Sequence, residues 1–298
     1  MELRILRSFL AVAREQSISG AARQLHISQP SLSRQIMELE DELGAKLFQR
    51  GNRKITLTEQ GILLRKRAEQ IVELVSKTEE ELTLADEKVS GAIRIGAGET
   101  HSFRTLAQSI RSLAARYPDI HFHLFSGNAE DVMERLDKGL VDFGVLIEPY
   151  DVSKYDYLRL PVMDVWGVLM RSDSPLAVLE AIQAEDLRDM PLICSRQALE
   201  GGQLSSWLKA DYGKLNIVSS YNLLFNASLL VDAGLGYALC LDNIVNTADE
   251  SSLCFRPLKP ALQSQVNLVW KKYQVFSKGS EFFLEKIRTQ TAMRNGLS

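Results

Sequence analysis

The sequence predicts a multidomain α/β chain in three parts, and three observations carry that prediction. Apolar residues recur at helical spacing in several short runs across residues 1–58. A Pro-free stretch over 59–89 then keeps a regular four-three apolar repeat, and from residue 91 strand-like and helix-like runs alternate towards the end. The expected division is therefore 1–58, 59–89 and 90–298.

In the first part, Leu3, Leu6, Phe9, Leu10 and Ala13 make one apolar helix face. Ser17 or Ser19 can cap a second helix, Gly20 to Leu25, whose Ala21 and Ala22 permit close packing. After a break at His26-Ile27, Ser28 is an N-cap, and Pro30 falls in the first turn, where its missing N–H costs nothing. The third helix buries Leu32, Ile36, Leu39 and Leu43 and stops at Gly44. Two short helices across a tight turn, the second opening with Ser-Gln-Pro, form a helix-turn-helix pattern. Gln29 and Ser33 flank the buried stripe and Arg34 lies opposite it. Gln can pair with adenine and Arg with guanine or a phosphate, so Ser28, Gln29, Pro30, Ser31, Ser33 and Arg34 are the candidate DNA contacts on this helix. Lys46 to Leu57 alternates apolar and polar residues, as a hairpin wing would, with Gly51-Asn52 at its tip and Arg50 and Arg53 beside the duplex. A plain helical bundle has no need of Ser-Gln-Pro at a helix start or of arginines flanking a Gly-Asn tip.

Thr58 can cap the long helix that follows. Leu64, Ala68, Ile71, Val75, Thr78, Leu82, Ala85 and Val89 step by four and three, the a/d seam of two helices packed along their length. Roughly 30 residues at about 1.5 Å each reach about 45 Å. The alternative is a helix lying on its own C-terminal domain.

In the third part, strands at Ala92 to Ala97, Ile120 to Phe125 and Val141 to Ile147 are separated by helices through Leu106, Ile110 and Leu113 and through Val132, Leu136 and Leu140. This βαβαβ order implies parallel pairing. Strands at Trp166 to Met170, Pro191 to Cys194 and Val266 to Trp270 follow, with a helix Leu223 to Ala233 and a last one through Phe282, Phe283 and Ile287. In such sheets ligands bind beyond the carboxyl ends of the strands. The candidates are Glu99, Thr100, His101 and Ser102 after the first strand, Ser126 and Asn128 after the second, Ile147 at the end of the third, Ser195, Arg196 and Gln197 in the second half, and Asn222 before its helix. Hydroxyls and free N–H groups at a helix start suit a small anion. An N-cap role for Thr100 or Ser102 and a solvated loop charge for Arg196 weigh about equally, and Glu99 pointing inward would oppose an anion, which leaves the ligand's charge open.

Composition bounds these readings. The 298 residues are 45% hydrophobic and 24% charged, ample for a buried core. The net charge is −3, yet residues 1–58 hold nine bases against six acids and residues 59–90 eight acids against five bases, so only the N-terminal part suits phosphate. No apolar stretch reaches a membrane span and the first twenty residues carry no secretory signal, so a cytoplasmic location without membrane attachment is expected. Cys194, Cys240 and Cys254 are odd in number and far apart, as reduced core thiols are. Gly96-Ala97-Gly98 and Gly234-Leu235-Gly236 each lack the third glycine of a dinucleotide fingerprint. His121 and His123 read as a solvent-facing pair rather than metal ligands. No cofactor, metal or catalytic residue is expected.

Phe9-Leu10-Ala11-Val12-Ala13, Ser19 through Ile36 without a gap, Leu39-Glu40, Leu43-Gly44, Leu47-Phe48-Gln49-Arg50 and Leu57-Thr58-Glu59-Gln60-Gly61 together closely resemble the signature of the LysR-type transcription regulators. Met37-Glu38 departs from a pair often basic in that family. Further on, Leu136 to Asp142 and Leu230 to Gly236 are similar to the family's effector domain, while Leu239-Cys240-Leu241-Asp242 departs from the Leu-Pro often found there. The resemblance implies a winged helix-turn-helix, an antiparallel dimerising linker helix and a periplasmic-binding-protein-like effector domain. That domain would have two α/β subdomains, I (90–160 and 267–298) and II (161–266), hinged by two crossing strands. It also implies double-stranded operator DNA and a small-molecule co-inducer as partners, and a homodimer or homotetramer; RNA polymerase is a further candidate partner. Two other classes stay open on residues alone: a small-molecule-binding protein or enzyme whose N-terminus serves assembly, and an architectural DNA-binding protein with an inert C-terminal domain.

Overall fold

A computed structural model describes residues 1–50, 54–83, 89–200, 202–208, 215–248 and 250–294. They form two compact units, Met1–Ala85 and Asp86–Ser298.

The first unit runs α1 (Leu3–Glu15), α2 (Ile18–Gln24), α3 (Gln29–Leu43), β1 (Phe48–Arg50), β2 (Ile55–Leu57) and α4 (Glu59–Thr83). Leu6, Phe9 and Val12 of α1 meet Ala21 and Ala22 of α2 and Leu32, Ile36 and Leu39 of α3 in one core, closed by Leu47 and by Ala68 of α4. Of the two candidate caps, Ser17 starts α2 by accepting the Gly20 N–H at 3.1 Å. Ser28 caps α3 through the Ser31 N–H at 3.3 Å, and Gly44 ends it at φ 63°, a left-handed turn that glycine takes without strain. Leu43, expected in the stripe, is 42% exposed because the helix outruns the core there, and Leu47 beyond the turn is buried instead. The wing strands pair antiparallel from Phe48↔Leu57 to Arg50↔Ile55, while the tip, residues 51–53 including Arg53, lies outside the described residues.

The linker seam is divided rather than wholly free for a partner. Of its residues, Ala68 is buried in the N-terminal core with Leu64 against it, whereas Ile71 (39%) stays exposed; off the seam, Val72 also packs on that core and Leu63 (60%) and Leu74 (44%) are exposed. The described helix runs to Thr83, with 84–88 outside the described residues, and Val89 is not helical. Val89 instead packs on the core of the second unit. At the start of α4, a Cβ on Gly61 would lie 2.1 Å from the Leu47 carbonyl oxygen, which explains the glycine there.

The second unit continues β3 (Gly91–Ala97), α5 (Phe103–Arg116), β4 (Ile120–Ser126), α6 (Ala129–Asp137), β5 (Phe143–Ile147), β6 (Tyr155–Arg171), β7 (Leu192–Ser195), α7 (Arg196–Glu200), α8 (Gln203–Leu208), β8 (Ile217–Tyr221), α9 (Leu224–Asp232), β9 (Tyr237–Leu241), β10 (Leu253–Pro257), β11 (Gln263–Lys271) and α10 (Lys278–Arg294). Its strands follow the order β4-β3-β5-β11-β6-β9-β7-β8, with β10 also on β6. β3 is parallel to β4 and β5, and β7 is parallel to β8 and β9. The 17-residue β6 is shared: Tyr155 to Val165 pair with β11, and Trp166 onward pairs with β9. β6 and β11 are thus the two strands that join subdomain I to subdomain II. The handover on β6 falls at Val165–Trp166, five residues past the 160/161 division expected. Subdomain I is held by Ile95, Leu106, Phe143, Leu268 and Phe283, and subdomain II by Trp166, Leu192, Leu204 and Leu239.

Candidate nucleic-acid interface and effector cleft

On α3 the buried residues Leu32, Ile36 and Leu39 fix the helix by one face. The opposite face leaves Ser28, Gln29, Pro30, Ser31 and Arg34 exposed at the capped, N-terminal end. Ser33 is only half-buried-to-solvent at the margin and lines a hollow with Val12, Ile18 and Phe48, so it is set back from the others. The Arg34 guanidinium is 79% exposed and donates to Glu38 at 2.8 Å, one helical turn on. An exposed pair of this kind contributes little to stability and is readily exchanged for a stronger acceptor. The Arg50 side chain, like Arg53, lies outside what is described.

Glu40, 8% exposed, ties α3 to the wing. One carboxylate oxygen accepts the Leu47 and Phe48 N–H groups at 2.8 and 3.2 Å, and the other accepts the Lys46 ammonium at 2.8 Å. Burial pushes its pKa up, but the Lys46 ammonium and the two N–H donors outweigh burial, and the net shift is downward. The sequence marks this residue only as part of the Leu39-Glu40 match; its partners six to eight residues on carry no local signal. Ser8 donates to Gln35 at 2.9 Å and so fixes α1 against α3.

In the second unit a cavity of about 70 Å³ opens between the subdomains, beyond the carboxyl ends of β3, β5 and β7. Asn128, Ile147 and Asn222 line it, as do Glu99, Ser195 and Gln197. Thr100, His101, Ser102 and Arg196 do not. The Thr100 and Ser102 hydroxyls turn instead to Asp164 on β6, Ser102 at 2.6 Å. Desolvation raises the Asp164 pKa, only partly offset by those hydroxyls. This turn is therefore an anchor on the crossing strand and not part of the cavity wall. Arg196 opens α7 and is exposed, the solvated alternative weighed for it. His101 is half-buried, and Ser126 is exposed at the end of its strand.

Two contacts span the cleft. Glu99 of subdomain I accepts the Leu224 N–H at the start of α9. Gln197 of subdomain II accepts the Ala129 N–H at 3.2 Å. Asn128 caps α6, accepting the Asp131 N–H at 2.9 Å, so it has a structural role as well as a place in the wall. Glu148, Trp166, Gln203, Tyr221, Leu241 and Ile244 also line it and were not among the site candidates read from the sequence. Glu148 directly follows Ile147, so the strand-end rule applied one residue further would have found it; for Tyr221 the signal is Ile217, Val218 and Tyr221 between Asn216 and Asn222, a short strand whose carboxyl end meets the cleft.

Other sites give way to simpler accounts. Cys194 and Cys240 are buried, and burial pushes the Cys194 thiol up to about 12, leaving it protonated and inert. His121 and His123 are both exposed on β4, and no trio of His, Cys, Asp or Glu among the described residues is placed to hold a metal. No helix among the described residues is long and apolar enough to cross a membrane.

Comparison with known proteins settles the family. Residues 3–62 match the bacterial regulatory helix-turn-helix protein, lysR family, and residues 86–292 match the LysR substrate binding domain. The chain is a LysR-family transcription regulator. Among its relatives, the Hca operon transcriptional activator HcaR of Escherichia coli (strain K12) is 30% identical over 282 residues, covering 91% of this chain and 92% of HcaR. The regulator IlvY of the same strain is 34% identical over 212 residues, 71% of each chain. Among solved structures, CbnR, a LysR family transcriptional regulator, superposes with a TM-score of 0.75 at 19% identity, covering 98% of this chain and 99% of CbnR. Full-length CbnR complexed with its target DNA gives 0.73, also at 19% identity, over 97% and 99%. The fold is thus shared end to end. HcaR and IlvY are both regulators of transcription.

Proposed function

We propose that this regulator binds a dyad-related operator as a homodimer or a homotetramer, in the cytoplasm where its DNA target lies. The N-terminal end of α3 enters the major groove, and a small molecule between subdomains I and II changes how the DNA-binding heads are placed. The observation that carries this is the face of α3: Gln29, Pro30, Ser31 and Arg34 are exposed on a helix whose opposite side is locked in a core. Gln29 and Arg34 are the base-reading or phosphate-binding groups, and Ser28, Ser31 and Ser33 are lesser contacts.

Self-association is supported by apolar surface without cover in the single chain. It comprises Leu63, Ile71 and Leu74 along α4, Leu124 (59%) on edge strand β4, and Phe225 (63%) and Leu229 (55%), one turn apart on α9. Such patches mark interaction sites. The cavity's place at the strand ends, bridged by Glu99 and Gln197, supports effector binding that changes subdomain closure.

The test is a fluorescence-anisotropy titration of full-length protein on a duplex recovered by footprinting. Arg34→Ala is expected to weaken binding about 5- to 150-fold, the worth of about 1–3 kcal/mol for a base contact. An unchanged affinity in the folded variant refutes the placement of α3.

A further inference from the structure

Resting on the effector-cleft reading above, we infer that the ligand of this cavity carries a positive charge: it is a small protonated amine or quaternary ammonium and not a carboxylate. The charged groups in the wall are Glu99 and Glu148, and no Lys, Arg or His among the described residues lines it. Each carboxylate makes one hydrogen bond, Glu99 with the Leu224 N–H and Glu148 with the Asn267 side-chain amide at 2.9 Å. In each case the second oxygen has no hydrogen-bond partner among the described residues.

The location that would draw an anion is already taken. An anionic ligand in an open cleft would seek the N–H groups at the start of α9, where the helix dipole favours negative charge. Here the protein's own Glu99 carboxylate occupies the Leu224 N–H. A second carboxylate would have to enter beside two fixed ones, and like charges in a confined, partly dehydrated space repel by several kcal/mol. An ammonium group meets the opposite situation. It pairs with Glu148 and Glu99, and Trp166 and Tyr221 add aromatic rings to the same wall. Both rings have already placed their polar atoms, the Trp166 indole N–H on Ser264 at 2.9 Å and the Tyr221 hydroxyl on the Leu239 carbonyl at 2.8 Å. They are thereby held as apolar surface. Ile147, Leu224, Leu241 and Ile244 suit a short hydrocarbon body, while Asn128, Ser195, Gln197, Gln203 and Asn222 add neutral polar groups that can hydrogen-bond a ligand of either charge, so the two carboxylates decide the sign. A cavity of about 70 Å³ admits only a small one, since by this measure one water needs roughly 10–15 Å³.

The test is the melting temperature of the full-length protein with matched pairs of probes at 10 mM: butylamine against butyrate, benzylamine against benzoate, and tetramethylammonium against acetate. Glu148→Gln keeps the acceptor for Asn267 and removes the charge. At least one cation is expected to raise the melting temperature of the wild type by several degrees, with the response at least tenfold weaker in ligand affinity in Glu148→Gln, while the carboxylates have no effect. Stabilisation by a carboxylate, or by no cation at all, overturns the inference; if Glu148→Gln does not fold, the wild-type comparison alone decides. Duplex binding measured on the same preparation separates the two levels, because intact operator affinity with no response to the cations sinks the ligand class and leaves the regulator reading in place.

Discussion

Removing Glu40 should uncouple the recognition helix from the wing. In Glu40→Ala the buried Leu47 N–H loses its acceptor, at roughly 1–3 kcal/mol for an unpartnered buried group, while the half-buried Phe48 N–H can recover part of its loss from water. The Lys46 pair adds under about 1 kcal/mol, because the Lys46 side chain is 72% exposed and solvent screens it. The sum is roughly 2–4 kcal/mol, a large share of the 5–15 kcal/mol typical of a domain. Glu40→Gln keeps an oxygen for the two N–H groups and loses only the charge, about 1 kcal/mol or less. The pair also sets a pH dependence. The folded pKa of Glu40 lies below its ordinary 4.5, so its stabilisation is complete at neutral pH and is lost as pH falls from that value through the folded pKa. Glu40→Gln should lack this component. The assay is amide hydrogen exchange, read by mass spectrometry on peptides covering residues 46–50 of the full-length protein. Glu40→Ala should exchange there roughly 30- to 1,000-fold faster, and Glu40→Gln less than tenfold faster. Wild-type protection in Glu40→Ala, or an undiminished acid-dependent loss in Glu40→Gln, would refute the role given to this carboxylate.

Two further substitutions test other joints of the fold. Asp164→Asn should leave the protein as stable as wild type or more so at pH 7, because the raised folded pKa of Asp164 means that its stabilising effect is present below the ordinary carboxylate value and declines as pH rises through the folded one. Melting temperatures between pH 4 and pH 8 check this, and a large loss in Asp164→Asn at pH 7 counts against it. Gly61→Ala forces a Cβ against the Leu47 carbonyl at 2.1 Å and should cost about 1–3 kcal/mol in the first unit, visible as a lower denaturant midpoint by circular dichroism. A neutral effect would show that α4 and the wing strand part more easily than their spacing suggests.

How much of this was legible depended on whether the governing contact was local. The cap at Ser28, the stop at Gly44 and the wing pairing follow from neighbours within a few residues, and they stand in the sequence as capping, glycine and alternation signals. The apolar stripe of α4 was legible too, but not the surface it meets. Leu64 and Ala68 have the same spacing as Ile71, and only the fold shows that Ala68 closes the N-terminal core while Ile71 is left outside. Strand-end placement found the loops that form the cleft, but not which side chain in each turns inward. In the loop after β3, Thr100 and Ser102 are drawn to Asp164, 64 and 62 residues away, and that leaves Glu99 in the cavity wall. The first part of β6, Tyr155 to Val165, carries no clear strand signal because Asp156, Arg159, Pro161 and Asp164 interrupt its apolar pattern, and Pro161 cannot donate to a ladder.

Footprinting of the full-length regulator on genomic DNA bears most directly on the α3 claim, followed by titration of wild type and Arg34→Ala against the recovered site and a scrambled duplex. Discrete protected sites are expected, with half-sites about one helical turn (about 10–10.5 bp) or a multiple apart, together with a preference over scrambled DNA that Arg34→Ala cuts roughly tenfold. Diffuse protection, or a preference unchanged in folded Arg34→Ala protein, contradicts the account.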